Sequence, residues 1–173
     1  MSIYVKRMEE SDLIPREHGP YGTWVNPLSP KFGAEELGFR RNRLLAGRFS
    51  GLYHAHLQQE ELLIPLQGRA WLRHKDGFEE VMPGQLLFFP KGKEHCHQLY
   101  NPGPEPFDYL ALANHTQEET CYYPDSGKEM TLTRSQDIHS PSGGWVMQQG
   151  FDYFKGEMEP ERFWPPEILQ PRP

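Results

Sequence analysis

The sequence predicts an all-β barrel or sandwich. Short apolar runs recur along it with glycine or proline turns between them. Gly (16) and Pro (17) make up nearly a fifth of the 173 residues, and both punctuate turns and interrupt long helices. A hydrophobic fraction of 36%, with 13% aromatic residues, supplies one core and not two.

Residues 1–45 read as a polar, turn-rich N-terminal arm, punctuated by Pro15, Gly19-Pro20, Gly22, Pro27, Pro30 and Gly33 and lying across the domain or across a neighbouring subunit. Within it, Glu35 to Phe39 suggests a short helix ending at a glycine. Residues 46–115 carry the strand pattern. Leu44 to Ser50 is a first run, Leu62 to Leu66 a second and Arg69 to Arg73 a third, closed by the hairpin signal Lys75-Asp76-Gly77. Phe78 to Met82 returns, Gln85 to Phe89 follows the Pro83-Gly84 turn, and Phe107 to Ala113 is the last run. About seven short, evenly spaced strands are the mark of a sandwich or barrel. Pro65 lacks the N–H a ladder needs, which predicts an edge or a bulge there. Residues 116–173 form a C-terminal extension whose aromatics (Trp145, Phe151, Tyr153, Phe154, Trp164) are expected to pack on the barrel or a partner subunit. Tyr122 to Lys128 is not a phosphate loop, because position 122 lacks the required glycine.

The formal charge of −6 argues against nucleic acid as the main partner, and no apolar run is long enough for a membrane span. The first residues carry no apolar signal segment, so a cytoplasmic location is the default expectation. Cys96 and Cys121 stand far apart and predict no disulfide framework.

The chemistry concentrates between Tyr53 and Asn101. His54 and His56 alternate on a strand and so share a face. Glu61 can add a carboxylate from the next strand, and His95 can join from a strand folding back beside the first. Imidazoles with one carboxylate suit a divalent transition metal (Mn, Fe, Co, Ni, Cu or Zn), and ligand type alone selects none of these.

Two stretches carry a family resemblance. His54-x-His56-x₄-Glu61-x₆-Gly68 resembles the first signature of the cupin superfamily, and Gly84-x₅-Pro90-x-Gly92-x₂-His95 resembles the second, with fifteen residues between them. The match covers residues 46–115 and is similar to small single-domain cupins of the cupin 2 type. It implies a double-stranded β-helix, or jelly-roll, barrel with N- and C-terminal extensions, and His54, His56, Glu61 and His95 as metal ligands. The sequence departs from the family pattern at Arg48, where a glycine is usual, and at Leu99, where an asparagine is usual.

Other residues have weaker claims. His97 is read as sharing the inward face of His95, as a proton-transfer group or a hydrogen-bonded core histidine. Arg48 faces inward if its strand runs unbroken to His54, and could then hold a substrate anion. Tyr109 is a candidate acid on the last strand, and Cys96 reads as a buried small hydrophobe. His18, His74, His115 and His139 read as surface residues.

Three imidazoles and a carboxylate leave about two positions of an octahedral ion for substrate or O₂. That suggests an enzyme acting on a small oxygenated metabolite: isomerisation of a sugar or sugar phosphate, or a dioxygenase-type oxidation. The alternative is a non-catalytic module that binds a metal or small molecule. Cupins of this size commonly pair, so a homodimer is expected.

Overall fold

Inward-facing apolar side chains at every second position set the strands of the barrel. The computed structural model describes residues 5–134, 145–147 and 150–171. In chain order the strands are β1 (Ile14–His18), β2 (Tyr21–Pro27), β3 (Leu37–Leu44), β4 (Arg48–Phe49), β5 (Ala55–His56), β6 (Glu61–Gln67), β7 (Ala70–His74) and β8 (Gly77–Val81). There follow β9 (Leu87–Phe89), β10 (His97–Asn101), β11 (Phe107–Asn114), β12 (Glu118–Tyr123), β13 (Lys128–Arg134) and β14 (Trp145–Met147). Two four-residue helices, α1 (Ser29–Phe32) and α2 (Pro166–Leu169), complete the elements used below.

The large sheet runs β8-β7-β10-β4-β2-β3-β11-β6-β9, with β1 added beside β2. A smaller sheet runs β14-β13-β12-β5. An isolated antiparallel bridge between His54 and His97 ties the small sheet to the large one. This is the jelly-roll barrel that the motifs implied.

The core fills the barrel interior up to the edge of the cavity. Leu44, Leu63, Leu72, Leu99 and Phe107 belong to one buried cluster contributed by five strands. Pro65 sits opposite Tyr109, where the β6–β11 register shifts. The missing N–H therefore falls at a bulge, as its chemistry demands. Gly68, at a φ of 80°, closes the β6–β7 turn, where an added Cβ would lie 2.4 Å from the Pro106 carbonyl oxygen. Only glycine fits both constraints.

Two expectations for the first 45 residues give way. Rather than an arm lying across the domain, they supply β2 and β3, which sit in the middle of the large sheet. The Glu35–Phe39 stretch does not become a helix, because Leu37–Phe39 pair with β11 and the same strand runs on from Arg40 between β11 and β2. Two ladders outweigh a weak local helix preference. Outside the barrel, Arg41 and Arg43 converge on buried Asp108, with Arg43 Nε donating to Asp108 Oδ1 at 2.8 Å.

The C-terminal residues pack on the outer face of the same chain. Trp164 and Ile168 bury against Tyr21, Phe49 and Tyr100, and Trp164 Nε1 donates to Gln98 Oε1 at 2.9 Å. Strand β10 is therefore covered on both faces: His97 and Leu99 look into the barrel, while Gln98 and Tyr100 meet the tail. Among the described residues, no helix is long and apolar enough to cross a membrane.

Candidate metal centre

The centre lies where the two sheets meet. His54 and His97 face each other across the bridge, with His97 N–H donating to the His54 carbonyl at 2.8 Å. His56 follows two residues after His54 on the same face, and Glu61 opens β6 beside Phe89 and Ala113. Ring centroids stand 4.7 Å apart for His54–His97 and 5.0 Å for His54–His56. One potential ligand atom from each of His54, His56, Glu61 and His97 lies within 4.8 Å of all the others. Bonds of about 2.1 Å to one ion would place opposite ligands about 4.2 Å apart. Side-chain adjustments of under about 1 Å thus close the group around an ion.

The surroundings keep Glu61 ionised and His54 neutral, whereas His56 holds a proton that an incoming ion has to displace. Glu61 is only 5% exposed, and its Oε2 stands 2.9 Å from His97 Nε2. Burial alone would raise its pKa. The His97 hydrogen bond, with His56 and Arg40 nearby, outweighs burial and holds the carboxyl well below the usual carboxylate range. Burial, with His97 and His56 alongside, keeps His54 well below the usual imidazole value and hence neutral. For His56 burial pulls down, but the contacts with Cys121, Glu119 and Glu61 prevail and lift it to about 10. His54 Nδ1 sits 2.8 Å from the Leu52 carbonyl and His97 Nδ1 3.2 Å from the His95 carbonyl, which turns each Nε2 inward. Phe89 stacks on His97 at 3.7 Å, sealing the apolar side.

The expected and observed ligand sets differ at one residue. Glu61 is buried, as expected of a ligand, while the neighbouring Glu60 is exposed. His95, however, does not join the group; His97 takes that position. Lys93–His95 form a 3₁₀ turn after Gly92, and the strand begins only at His97. A 3₁₀ turn advances about 120° per residue, so strand alternation cannot be extended back from 97 to 95. The His95 side chain is 30% exposed and pairs with Glu94 at 3.5 Å.

The remaining candidates fall in several places. Arg48 does not reach the centre: bends between Ser50 and Tyr53 interrupt its strand, and its guanidinium donates to the Gly19 carbonyl at 2.6 Å. Tyr109 is buried and lines a cavity of about 610 Å³ together with Arg40, Asn42, Thr23, Ser50 and Gln59. Burial pushes its phenol to about 12, so it stays a hydrogen-bond donor. Cys96 is buried against Tyr53 and Ala55, where burial raises its thiol to about 11. His115 lines the same cavity as Tyr109, and His18 stacks on Phe154. His139 and the Trp145 side chain lie outside the described residues.

Sequence reasoning missed two contributors. Arg40, on β3, lines the cavity and reaches Glu61 Oε1 at 3.4 Å, so it joins the cavity to the centre. Strand β12 turns Glu119, Cys121 and Tyr123 inward, and Tyr123 stacks on His54 at 6.0 Å. Their spacing of two was visible in the sequence; that β12 would pair with β5 was not.

No family model matches the sequence, and no curated protein matches it. Solved structures do. A sugar phosphate isomerase from a cupin superfamily, from Silicibacter pomeroyi, superposes with a TM-score of 0.64 at 23% identity, over 84% of this chain and 93% of its own. The fold is the cupin barrel. A cupin 2 conserved barrel domain protein from Salinispora arenicola matches over 65% of this chain and 89% of its own, with a TM-score of 0.53 at 21% identity. The polyketide cyclase RemF from Streptomyces resistomycificus matches over 64% and 80%, with a TM-score of 0.53 at 24% identity. At such identities the likeness establishes the cupin fold, on which these proteins carry unlike chemistries.

Proposed function

We propose that this cupin is a metal-dependent enzyme acting on a small oxygenated metabolite, with isomerisation of a sugar or sugar phosphate favoured over dioxygenase-type oxidation. The observation that carries this is the convergence of His54, His56, Glu61 and His97 beside a cavity of mixed polar and apolar lining. These four residues would hold a divalent transition ion. When bound, that ion supplies Lewis acidity toward a carbonyl or enolate oxygen. Arg40, its side chain half exposed, offers a charge for an anionic group in the cavity, while Asn42 and Tyr109 offer buried hydrogen bonds to hydroxyls. In a lining that also holds Val25, Pro27, Phe39 and Leu112, these guanidinium, amide and hydroxyl groups give a polyhydroxylated anion partners that a catechol-like ring would not use. Phe89 and Tyr123, stacked on two of the imidazoles, restrict water at the centre.

This reading includes a cytoplasmic location, consistent with free, buried Cys96 and Cys121. It also includes a homodimer, for which exposed Leu86 and Phe88 at the β9 edge offer apolar surface. Light scattering at micromolar concentration is expected to give a dimer, and a monomer refutes that part.

Metal analysis of protein purified without added metal tests the centre. Wild type and His95→Ala should carry about one transition ion per chain, and His54→Ala and His97→Ala almost none. Equal metal content in all four proteins would overturn the assignment. Oxygen uptake with diols or diketones, set against aldose–ketose interconversion of sugar phosphates, then separates the two reactions.

A further inference from the structure

The three imidazoles of the centre are not backed alike. His54 and His97 each hold Nδ1 against a main-chain carbonyl, of Leu52 and His95 respectively. The His56 Nδ1 looks instead toward β12, with Glu119 Oε1 and Cys121 Sγ each 3.6 Å away. Glu119 is wholly buried. Its Oε1 accepts from the backbone N–H groups of Leu57 at 2.8 Å and Gln58 at 3.4 Å, which anchor the carboxylate. Its Oε2 is buried with no hydrogen-bond partner among the described residues. Oε1, the oxygen nearer His56 Nδ1, thus already serves two N–H groups, while the unoccupied Oε2 leaves the carboxylate acceptor capacity that a small side-chain shift toward the imidazole would use. A thiol is a much weaker acceptor than a carboxylate, so Cys121 is the lesser partner.

We infer that Glu119 is the positioning residue for His56: its carboxylate accepts the Nδ1 proton, aims Nε2 at the centre and strengthens His56 as a ligand. The inference rests on the metal reading above. A carboxylate behind a ligating imidazole fixes the tautomer and ring orientation and raises ligand basicity, and its loss weakens metal affinity by about 10- to 100-fold. His56 thereby differs from its two neighbours, since an anion backs it where neutral carbonyls back them. Glu119, Cys121 and His56 also lie within 4.8 Å of one another, so they could themselves take an ion, and the experiment must separate these roles.

The test titrates metal-free protein with Co²⁺ against a competing chelator. Glu119→Gln keeps an acceptor for the Leu57 and Gln58 N–H groups and removes the charge. Expected are Co²⁺ binding weakened about 10- to 100-fold, an unchanged melting temperature of the metal-free protein, and an effect of Cys121→Ser below about threefold. Glu119→Gln binding Co²⁺ as tightly as wild type overturns the inference. So does a thiolate-to-Co²⁺ charge-transfer band that disappears in Cys121→Ser, because the ion would then sit on the His56–Glu119–Cys121 side. Should Glu119→Gln fail to fold, Glu119→Asp, which withdraws the charge by one methylene, is expected to weaken binding several-fold; unchanged affinity overturns the inference. Should wild type take up no ion, the metal reading fails separately. Imidazole ¹⁵N spectra of the metal-free protein then decide this inference: Glu119→Gln should move the His56 signals and leave those of His54 and His97 in place, whereas unmoved His56 signals overturn it.

Discussion

The two ends of the barrel interior are built from the same strands and do opposite work. On β6, buried Glu61 is followed two residues later by buried Leu63; on β10, His97 is followed by Leu99. On β11, Tyr109 lines the cavity and packs in the same buried cluster as Phe107, which stands two residues away and does not reach the cavity. A step of two residues keeps the face and changes the position along the barrel, so polar and apolar ends share one scaffold. Close packing at one end stabilises the fold and holds the other end open and polar, where side chains are placed for binding at some cost in stability.

Mutations should separate the ends. Phe107→Ala, at a wholly buried position, is expected to cost about 3–5 kcal/mol and to leave metal affinity unchanged in whatever protein remains folded, as read by denaturant titration and chelator competition. A large affinity change would mean that the two ends are coupled. Asp108→Asn removes the anion shared by Arg41 and Arg43 on the outer side and should cost about 3 kcal/mol. Burial would raise the Asp108 pKa, but hydrogen bonds from Arg43 and Arg41 prevail and hold it below its ordinary 3.8. For a depressed carboxyl the sign is fixed: its stabilisation is complete above about pH 4, fades as pH falls through the lower folded-state value, and is absent from Asp108→Asn. Thermal melts of both proteins between pH 2 and 6 measure this. His54→Ala, at the polar end, should abolish metal binding yet shift the metal-free melting temperature by only about 3 °C, the inverse of Phe107→Ala. Calorimetry on metal-free protein checks it, and a shift as large as that of Phe107→Ala would erase the distinction. The smallest effect is expected for His95→Ala, with metal affinity within about twofold of wild type, since its ring stands on an exposed 3₁₀ turn.

Much of the barrel was legible because period-two alternation and turn residues act locally. The Lys75-Asp76-Gly77 hairpin and the Pro65 bulge both appear where backbone chemistry required them. The first 45 residues were harder. Leu37 to Leu44 carries charges at 40, 41 and 43, and becomes a central strand because Arg41 and Arg43 find Asp108 across the ladder. At the centre, the spacing of His54, His56 and Glu61 marked the right neighbourhood, but the Gly92-x₂-His95 spacing of the family resemblance pointed to His95, and the 3₁₀ turn over Lys93–His95 gives the place to His97. Arg40 and Glu119 are ordinary surface-type residues in the sequence, and only pairing with distant strands brings them to Glu61 and His56.

The sequence by itself determined the fold class, the residues around which a centre forms and the absence of a basic footprint, because alternation, turn chemistry and charge are properties of neighbours along the chain. The tertiary structure decided which histidine completes the ligand set, which arginine faces the cavity and what stands behind His56. Those choices depend on strand register and on the rotation of one 3₁₀ turn, which contacts between residues far apart in the chain establish.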